Sequence, residues 1–520
     1  MSLSFLVALA VAYGLPAGDV GEPPRFIARA VAVLVGVSVV TLLARWITYS
    51  TIERMRLSPP ASTSPYSRYA VLRRFHGFVS LGVFILILEP IGWNSLVRHH
   101  GAWDGWIFVD ELLLLTPYLG AESLSILSFY RVDQEVLRSG ARRRRARPSH
   151  SQLGYLDFQA RNQFGVLLLT SLFATGLYDL GELILPRSWL EHPGLQILGT
   201  SLIALSVLIA SPLILRVVWR AIPLPDGSLR RELETFARQV GFRFANILVW
   251  RTRGGIANAA VTGMVPQLRY VLMSDALLDH LSTEELEGVF GHEVGHIRHH
   301  HLAYYCFFVI ASILFISMLV PWLDLMTRVA LGDARWYELQ QWGWRAGVEL
   351  GVLVPYFAIV FGYLSQRFER QADVYGCRAV SASLRRRANT PTPVMLLTPR
   401  GTNGHPAGSQ SLAKQHADAR QAETEKLDAV PVHPDGAEVF IQSLENVANL
   451  NGVARTAWSW RHGSIAQRVR FLEEVASDPE LADRDDHAVA RLRWTIATGL
   501  LVGMGTLAAL DYLFVGGIAS

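Results

Sequence analysis

His292-Glu293-Val294-Gly295-His296 is the stretch on which the reading of this chain turns. On a helix, residues four apart share a face, so His292 and His296 present two imidazoles to one metal ion. Glu293 points aside, where its carboxylate can serve a water at the metal rather than the metal itself. The pattern is short and the chain holds 16 His, so the flanking residues have to decide. Ser282-Thr283-Glu284-Glu285 has the form of a capping box, and Leu286, Val289 and Phe290 follow at helical spacing. The segment is a helix, and two His on one of its faces point to zinc.

Outward from this stretch the chain is apolar. Of its 520 residues 51% are hydrophobic and 18% charged, with a mean hydropathy of +0.26. Long apolar runs cover residues 27–48, 70–95, 107–129, 163–186, 196–219, 302–323, 345–366 and 494–515. Each is long enough to cross a hydrocarbon core of about 30 Å as a helix. Buried helices of a soluble protein do not account for eight such runs, so the expectation is a mainly α-helical polytopic membrane protein. Residues 2–13 are also apolar, without a basic start or an obvious cleavage site. A further membrane segment, a re-entrant piece and a signal-like start all stay open there. Cys306 and Cys377 are the only cysteines, too few for a disulfide framework.

Charge supplies an orientation. Residues 49–69 carry Arg54, Arg56 and Arg68, with Arg73 and Arg74 close behind, and 130–162 contain the run Arg142–Arg145 with Arg147. Segments 93–106, 187–195 and 324–344 are poorer in Arg. The positive-inside rule then puts 49–69, 130–162, 220–301 and 367–493 on the cytoplasmic side, consistently across all eight spans. The expected setting is a bacterial inner membrane or its equivalent, with a lipid bilayer as one partner. Beside a membrane helix an arginine run marks orientation or anionic lipid rather than nucleic acid, which is not expected as a partner.

The domain plan follows. Residues 1–219 read as five membrane helices, with 2–13 a candidate sixth. Residues 220–301 read as a small α+β insert: a helix at Asp226–Val240, strands at Phe242–Trp250, Ile256–Thr262 and Leu268–Met273, a short helix at Asp275–Leu281, then the HExxH helix. A membrane hairpin occupies 302–366. Residues 367–493 hold a returning helix, an aperiodic polar stretch at 385–435 that reads as a mobile loop, and helices at 436–450 and 464–476. A last span covers 494–515.

Catalytic zinc takes three protein ligands and leaves one position open. A third His ten residues after the first fails, since Leu302 occupies that position. An intramembrane arrangement with a later Asp is a weak fit, since no suitable Leu-Asp-Gly follows. Glu369, in Glu369-Arg370-Gln371-Ala372-Asp373, stands where the hairpin returns to the side it left, within reach of His292 and His296. Asp373 shares its helical face, where a carboxylate can accept the second N–H of a ligating His and fix its tautomer. HExxH with a later ExxxD is the gluzincin arrangement. His299, His300 and His301 follow the motif closely but lie beyond the i, i+4 pairing, and read as interfacial.

Asn258-Ala259-Ala260-Val261-Thr262-Gly263, Leu277-Leu278, Ser282–Leu286, His292–His296 and Gln366–Asp373 together resemble the catalytic core of the M48 family of integral-membrane zinc metallopeptidases. The number of spans before the metal helix resembles the Ste24 type more than the HtpX type, while the last span fits neither. The resemblance implies one zinc per chain on His292, His296 and Glu369, with Asp373 behind a ligand and Asn258, Ala259 and Val261 against substrate. A weaker likeness at Arg461–Arg468 implies that His462 and Arg468 steady the oxyanion or bind substrate backbone; Gly463 stands there where the family tends to carry Pro.

The expected function is a zinc-dependent endopeptidase acting at the cytoplasmic face on membrane-associated proteins or peptides. Glu293 is the general base, and the Ile256–Thr262 strand holds an extended peptide by added pairing. The alternatives are a sensor-type membrane metallopeptidase of the M56 kind, and a non-catalytic transporter or scaffold with a residual metal site. Prenylated peptides, misfolded membrane proteins and signal-peptide remnants all remain open as substrates.

Overall fold

Seven helices long and apolar enough to cross a membrane stand among the described residues of the computed structural model: Phe26–Leu57, Arg68–Leu88, Val109–Glu135, Gln152–Ile184, Gly194–Val218, His301–Leu331 and Glu480–Leu513. The described residues are 3–14, 26–57, 64–100, 106–141, 151–341, 355–389 and 430–514. The seven correspond to seven of the eight expected runs, and the chain is a polytopic helical membrane protein. The eighth run, 345–366, lies partly outside the described residues, as do the arginine run at 142–147 and most of the 385–435 loop. Residues 2–13 give the short apolar helix Leu3–Gly14.

The outer faces of these helices make sense only in lipid. Val31, Leu34, Val35, Val39, Leu42 and Trp46 of the first span are all at least half exposed. An apolar surface of that extent would not persist in water.

The chain divides into two compact units. The first comprises residues 1–224, 244–256 and 262–276. Helix Phe26–Leu57 packs on Val109–Ala141 through Ala44, Ile47, Phe129 and Val132, and Thr48 Oγ1 donates to the Ser128 carbonyl at 3.0 Å. A second core gathers Phe5, Phe84, Leu115, Tyr118 and Phe164. Arg73 and Asp133, charged groups on membrane helices, meet at 2.7 Å, with the Tyr69 hydroxyl donating to Asp133 at 2.8 Å. Pairing of this kind is what makes intramembrane charge tolerable.

Three strands belong to this unit. β1 (Ile222–Pro223) runs antiparallel to β2 (Asn246–Trp250), and β2 runs parallel to β4 (Tyr270–Ser274), in register from Asn246↔Tyr270 to Trp250↔Ser274. All of β4 is buried, which explains its continuous apolar composition. β2 starts four residues later than the expected Phe242; the chain turns at Gly241, with φ +64°, and 242–245 carry no strand. β3 is Ala259–Thr262, of which 259–261 fall in the second unit. The stretch 220–301, expected as one insert, is thus shared between the two units.

The second unit comprises 225–243, 257–261 and 277–520. Its centre is the helix Thr283–Arg298. Ser282 Oγ accepts from Glu285 N at 3.2 Å, and Glu285 Oε2 accepts from Ser282 N at 2.7 Å, so the capping box closes. Leu286, Phe290 and Val294 are buried on one face, with Phe236 and Phe242 against Phe290. Each such side chain contributes about 1.5–3 kcal/mol.

The same helix carries a seam of small residues where helix Gly362–Asn389 approaches it. A Cβ on Gly291 would stand 3.0 Å from Ala379 Cβ and 3.2 Å from Gly376 Cα. A Cβ on Gly295 would meet Ala372 Cα at 3.1 Å. The backbones are close because neither residue has a side chain, and that closeness brings the Glu369 face of one helix to the His face of the other. Helices Pro434–Leu450 and Ile465–Ser477 close the unit around Phe440, Val374, Cys377, Phe471 and Leu472.

Candidate metal centre

His292, His296 and Glu369 form the one group among the described residues whose ligand atoms converge, all within 4.8 Å of one another. The two Nε2 atoms are 3.2 Å apart. Each lies 3.7 Å from an oxygen of Glu369, His292 from Oε2 and His296 from Oε1. Zinc–nitrogen bonds of about 2.0–2.1 Å set the edge of a tetrahedron at roughly 3.3 Å. The donor set, two imidazole nitrogens and one carboxylate, and its spacing both fit zinc.

Behind the ligands the residues are tightly held. His292 Nδ1 stands 2.9 Å from Asp373 Oδ1. Arg468 grips Asp373 with both ends of its fork, Nε to Oδ2 at 2.7 Å and Nη2 to Oδ1 at 2.5 Å. Its Nη1 is 3.6 Å from Glu369 Oε2. His462 Nδ1 is 3.0 Å from Glu369 Oε1, on a side chain that is 47% exposed. Arg468 is therefore committed to two carboxylates. His462 sits at the rim, in a turn closed by paired bonds between Ser459 and Gly463. Gly463 has φ +70° there, a value proline cannot adopt, which accounts for its place in this sequence.

The electrostatics follow from burial and these partners. Burial opposes a charge on Glu369, but His462, Arg468 and the two imidazoles outweigh it and hold the carboxyl well below the usual range. Burial likewise opposes a charge on Asp373, and Arg468 overrides it downward. For His292 burial disfavours protonation, yet Asp373 and Glu369 prevail and raise its pKa. Burial, with His292 next to it, lowers His296 to about 3, leaving a neutral imidazole. Glu293 is pushed up to about 7 by burial, with His292 pulling the other way.

Glu293 faces β3, where the Val261 N–H donates to its Oε2 at 3.3 Å. The cleft in front of these groups has a volume of about 710 Å³, and Asn258, Ala259, Val261, His462 and Arg468 line it with the three metal-facing residues. Nine of the ten residues singled out in the sequence thus line this cleft, and the tenth, Asp373, lies behind it against His292. Asn451 was not anticipated: its side chain accepts from Ala257 N at 3.0 Å and donates to Ala257 O at 2.7 Å, pinning the chain just before β3. No spacing rule reaches across so long a separation. His301 was expected at the membrane interface; instead it is 1% exposed and contacts His296. Its ring lies flat on Phe368, 4.1 Å between centroids, which draws it inward.

The small-residue seam gives a test of this geometry. Gly291→Leu forces the two helices apart, at a cost of about 1–3 kcal/mol, and carries Glu369 away from the imidazoles. Melting temperature and retained zinc should fall together. A variant that melts and binds zinc as before would show that the seam does not set the ligand spacing.

Comparison with known proteins agrees with the site. Residues 223–475 match the profile of peptidase family M48. CAAX prenyl protease 1 of Saccharomyces cerevisiae is 34% identical over 82 residues, 15% of this chain and 18% of that protein. The protease HtpX homolog of Methanocaldococcus jannaschii is 38% identical over 71 residues, 14% of this chain and 24% of that one. The matched stretches thus span about a fifth to a quarter of these relatives. The crystal structure of S. mikatae Ste24p aligns over 86% of this chain and 99% of that chain at 14% identity, with a TM-score of 0.35, too loose a likeness to carry an argument. The likeness to peptidase family M48 thus lies in residues 223–475, just under half of the chain.

Proposed function

We propose that the chain is a zinc-dependent endopeptidase that cleaves membrane-associated proteins or peptides at the cytoplasmic face, with Glu293 as general base. The observation that carries the reading is the convergence of His292, His296 and Glu369 in a cleft whose wall also holds the half-buried Glu293. A zinc ion on the three ligands supplies Lewis acidity toward the scissile carbonyl and the attacking water.

The chain's own residues do the rest. Glu293, beside the ligand set, takes the proton of the attacking water and returns it to the leaving amine. The β3 segment and Asn258 line the cleft, so an extended peptide laid along 258–261 passes in front of Glu293. In the free chain the Val261 N–H is engaged by Glu293; a peptide that takes this donor releases the carboxylate toward the water. His462, half exposed at the rim, is placed to meet the carbonyl oxygen as charge develops on it. Arg468 keeps Asp373 and Glu369 ionised and still, a holding role. Arg54 and Arg56 at the end of the first span support the cytoplasmic assignment.

The reading is tested by incubating the purified, detergent-solubilised chain with casein and with a model membrane protein, with and without a zinc chelator. Cleavage that the chelator stops and zinc restores is the expected result. Cleavage indifferent to the chelator, or none in zinc-loaded protein, would defeat it.

The same assay has a pH signature. A general base works deprotonated, so kcat/KM rises as pH climbs through the Glu293 pKa. Burial pushes that pKa up to about 7, and a nearby cation pulls it lower. The acid limb therefore lies at or below pH 7. Activity that grows on acidification from pH 7 to 5 would contradict the assignment of Glu293 as the base.

A further inference from the structure

A chain of buried polar contacts runs from the second imidazole to the last membrane helix, Glu480–Phe514. His296 Nδ1 is 2.8 Å from His301 Nδ1, and His301 Nε2 is 3.0 Å from Gln371 Oε1. Gln371 Nε2 donates to Asp486 Oδ1 at 2.7 Å, and Arg493 Nη2 donates to Gln371 Oε1 at 3.3 Å. His301 and Gln371 are 1% and 6% exposed. Asp486 Oδ2 is also 3.5 Å from Arg378 Nη1.

The donor and acceptor roles along this chain are fixed from its far end. The Asp486 carboxylate only accepts, so the Gln371 amide must turn its NH2 toward it. Arg493 only donates, which confirms that Gln371 shows its oxygen to the other side. That oxygen requires a proton on His301 Nε2, and a neutral His301 then has a bare Nδ1. A bare Nδ1 can only accept, so the shared proton sits on His296 Nδ1. The nitrogen left without a proton on His296 is Nε2, the atom that faces His292 Nε2 and Glu369. Phe368, stacked on His301, holds the ring in the plane these contacts need.

We propose that His301, Gln371 and Asp486 form a relay that sets the tautomer of His296, making the last membrane helix a working part of the metal centre. His301 is then a positioning residue, matching on the His296 side what Asp373 does for His292. The inference rests on the zinc reading above. An outer partner of a ligating His is worth about 10–100-fold in metal affinity, and this partner depends on a helix far along the chain.

The test measures zinc affinity by competition with a chromogenic chelator, and the visible spectrum of the cobalt-substituted full-length protein in detergent. His301→Leu keeps an apolar group against Phe368 but removes the acceptor; affinity should fall about 10–100-fold and the cobalt bands should shift. His301→Asn, whose amide oxygen takes the place of Nδ1, should recover most of both. Asp486→Ala acts from the other helix and should move both readouts in the same direction, by less. Arg367→Ala is the control, because Arg367 binds Asp485 on the same helix at 2.9 Å but lies outside the relay; it should leave both readouts as they were. Unchanged affinity and spectrum in His301→Leu and Asp486→Ala, or an equal change in Arg367→Ala, would overturn the relay. Failure of the zinc reading looks different: His292→Ala would then bind zinc as tightly as the parent chain.

Discussion

Glu293→Gln yields a protein that keeps its zinc and loses its peptidase activity. The amide has the shape of the carboxylate and can still accept a bond from Val261 N–H, where Glu293 Oε2 now lies at 3.3 Å. It cannot take a proton at any working pH. General-base catalysis contributes about 10²–10⁴-fold to rate, so kcat should fall by at least that factor, about 3–5 kcal/mol of barrier. KM should change little, because the contacts to peptide along 258–261 are untouched. Zinc per chain, measured on the same preparation, should match the parent. A Glu293→Gln protein with near-normal kcat would remove Glu293 from the mechanism while leaving the metal site in place.

Glu369→Ala has the larger structural consequence. It removes the one anionic member of the proposed ligand set, whose oxygens stand 3.7 Å from the two imidazole nitrogens. It also leaves Arg468, half-buried and already paired with Asp373, with one carboxylate fewer and His462 without its 3.0 Å partner. Zinc affinity should drop by more than the about 10–100-fold that outer partners are worth. Activity should go with it and should not return at ordinary zinc concentrations. Glu369→Gln keeps a neutral oxygen donor and should lie between the two. Equal zinc affinity in Glu369→Ala and the parent would mean that the third ligand lies elsewhere.

Much of this arrangement is legible in the sequence because it rests on short-range rules. The i, i+4 spacing of His292 and His296, the capping box at Ser282 and Glu285, and the length of the apolar runs are all local. Each has its structural counterpart. Glu369 and Asp373 are reachable by one further step, the expected hairpin over 302–366, whose second arm lies partly outside the described residues. What is not legible depends on contacts far apart in the chain. His301 sits five residues past His296 and looks like an interfacial residue until Phe368, Gln371 and Asp486 are brought around it. Asn451 pins Ala257 from a distant helix. The glycine seam explains why Gly291 precedes the motif and Gly295 lies within it, yet only the packing against Gly376 and Ala372 shows its purpose.

The proposed mechanism requires a single zinc ion held by His292, His296 and Glu369. X-ray absorption at the zinc edge, on the purified chain with its zinc content measured in parallel, tests it most directly. The account predicts one zinc per chain, two imidazoles among nitrogen and oxygen neighbours at about 2.0–2.1 Å, and loss of the signal in Glu369→Ala. A sulfur neighbour at about 2.3 Å, or an unaltered spectrum in Glu369→Ala, would contradict it.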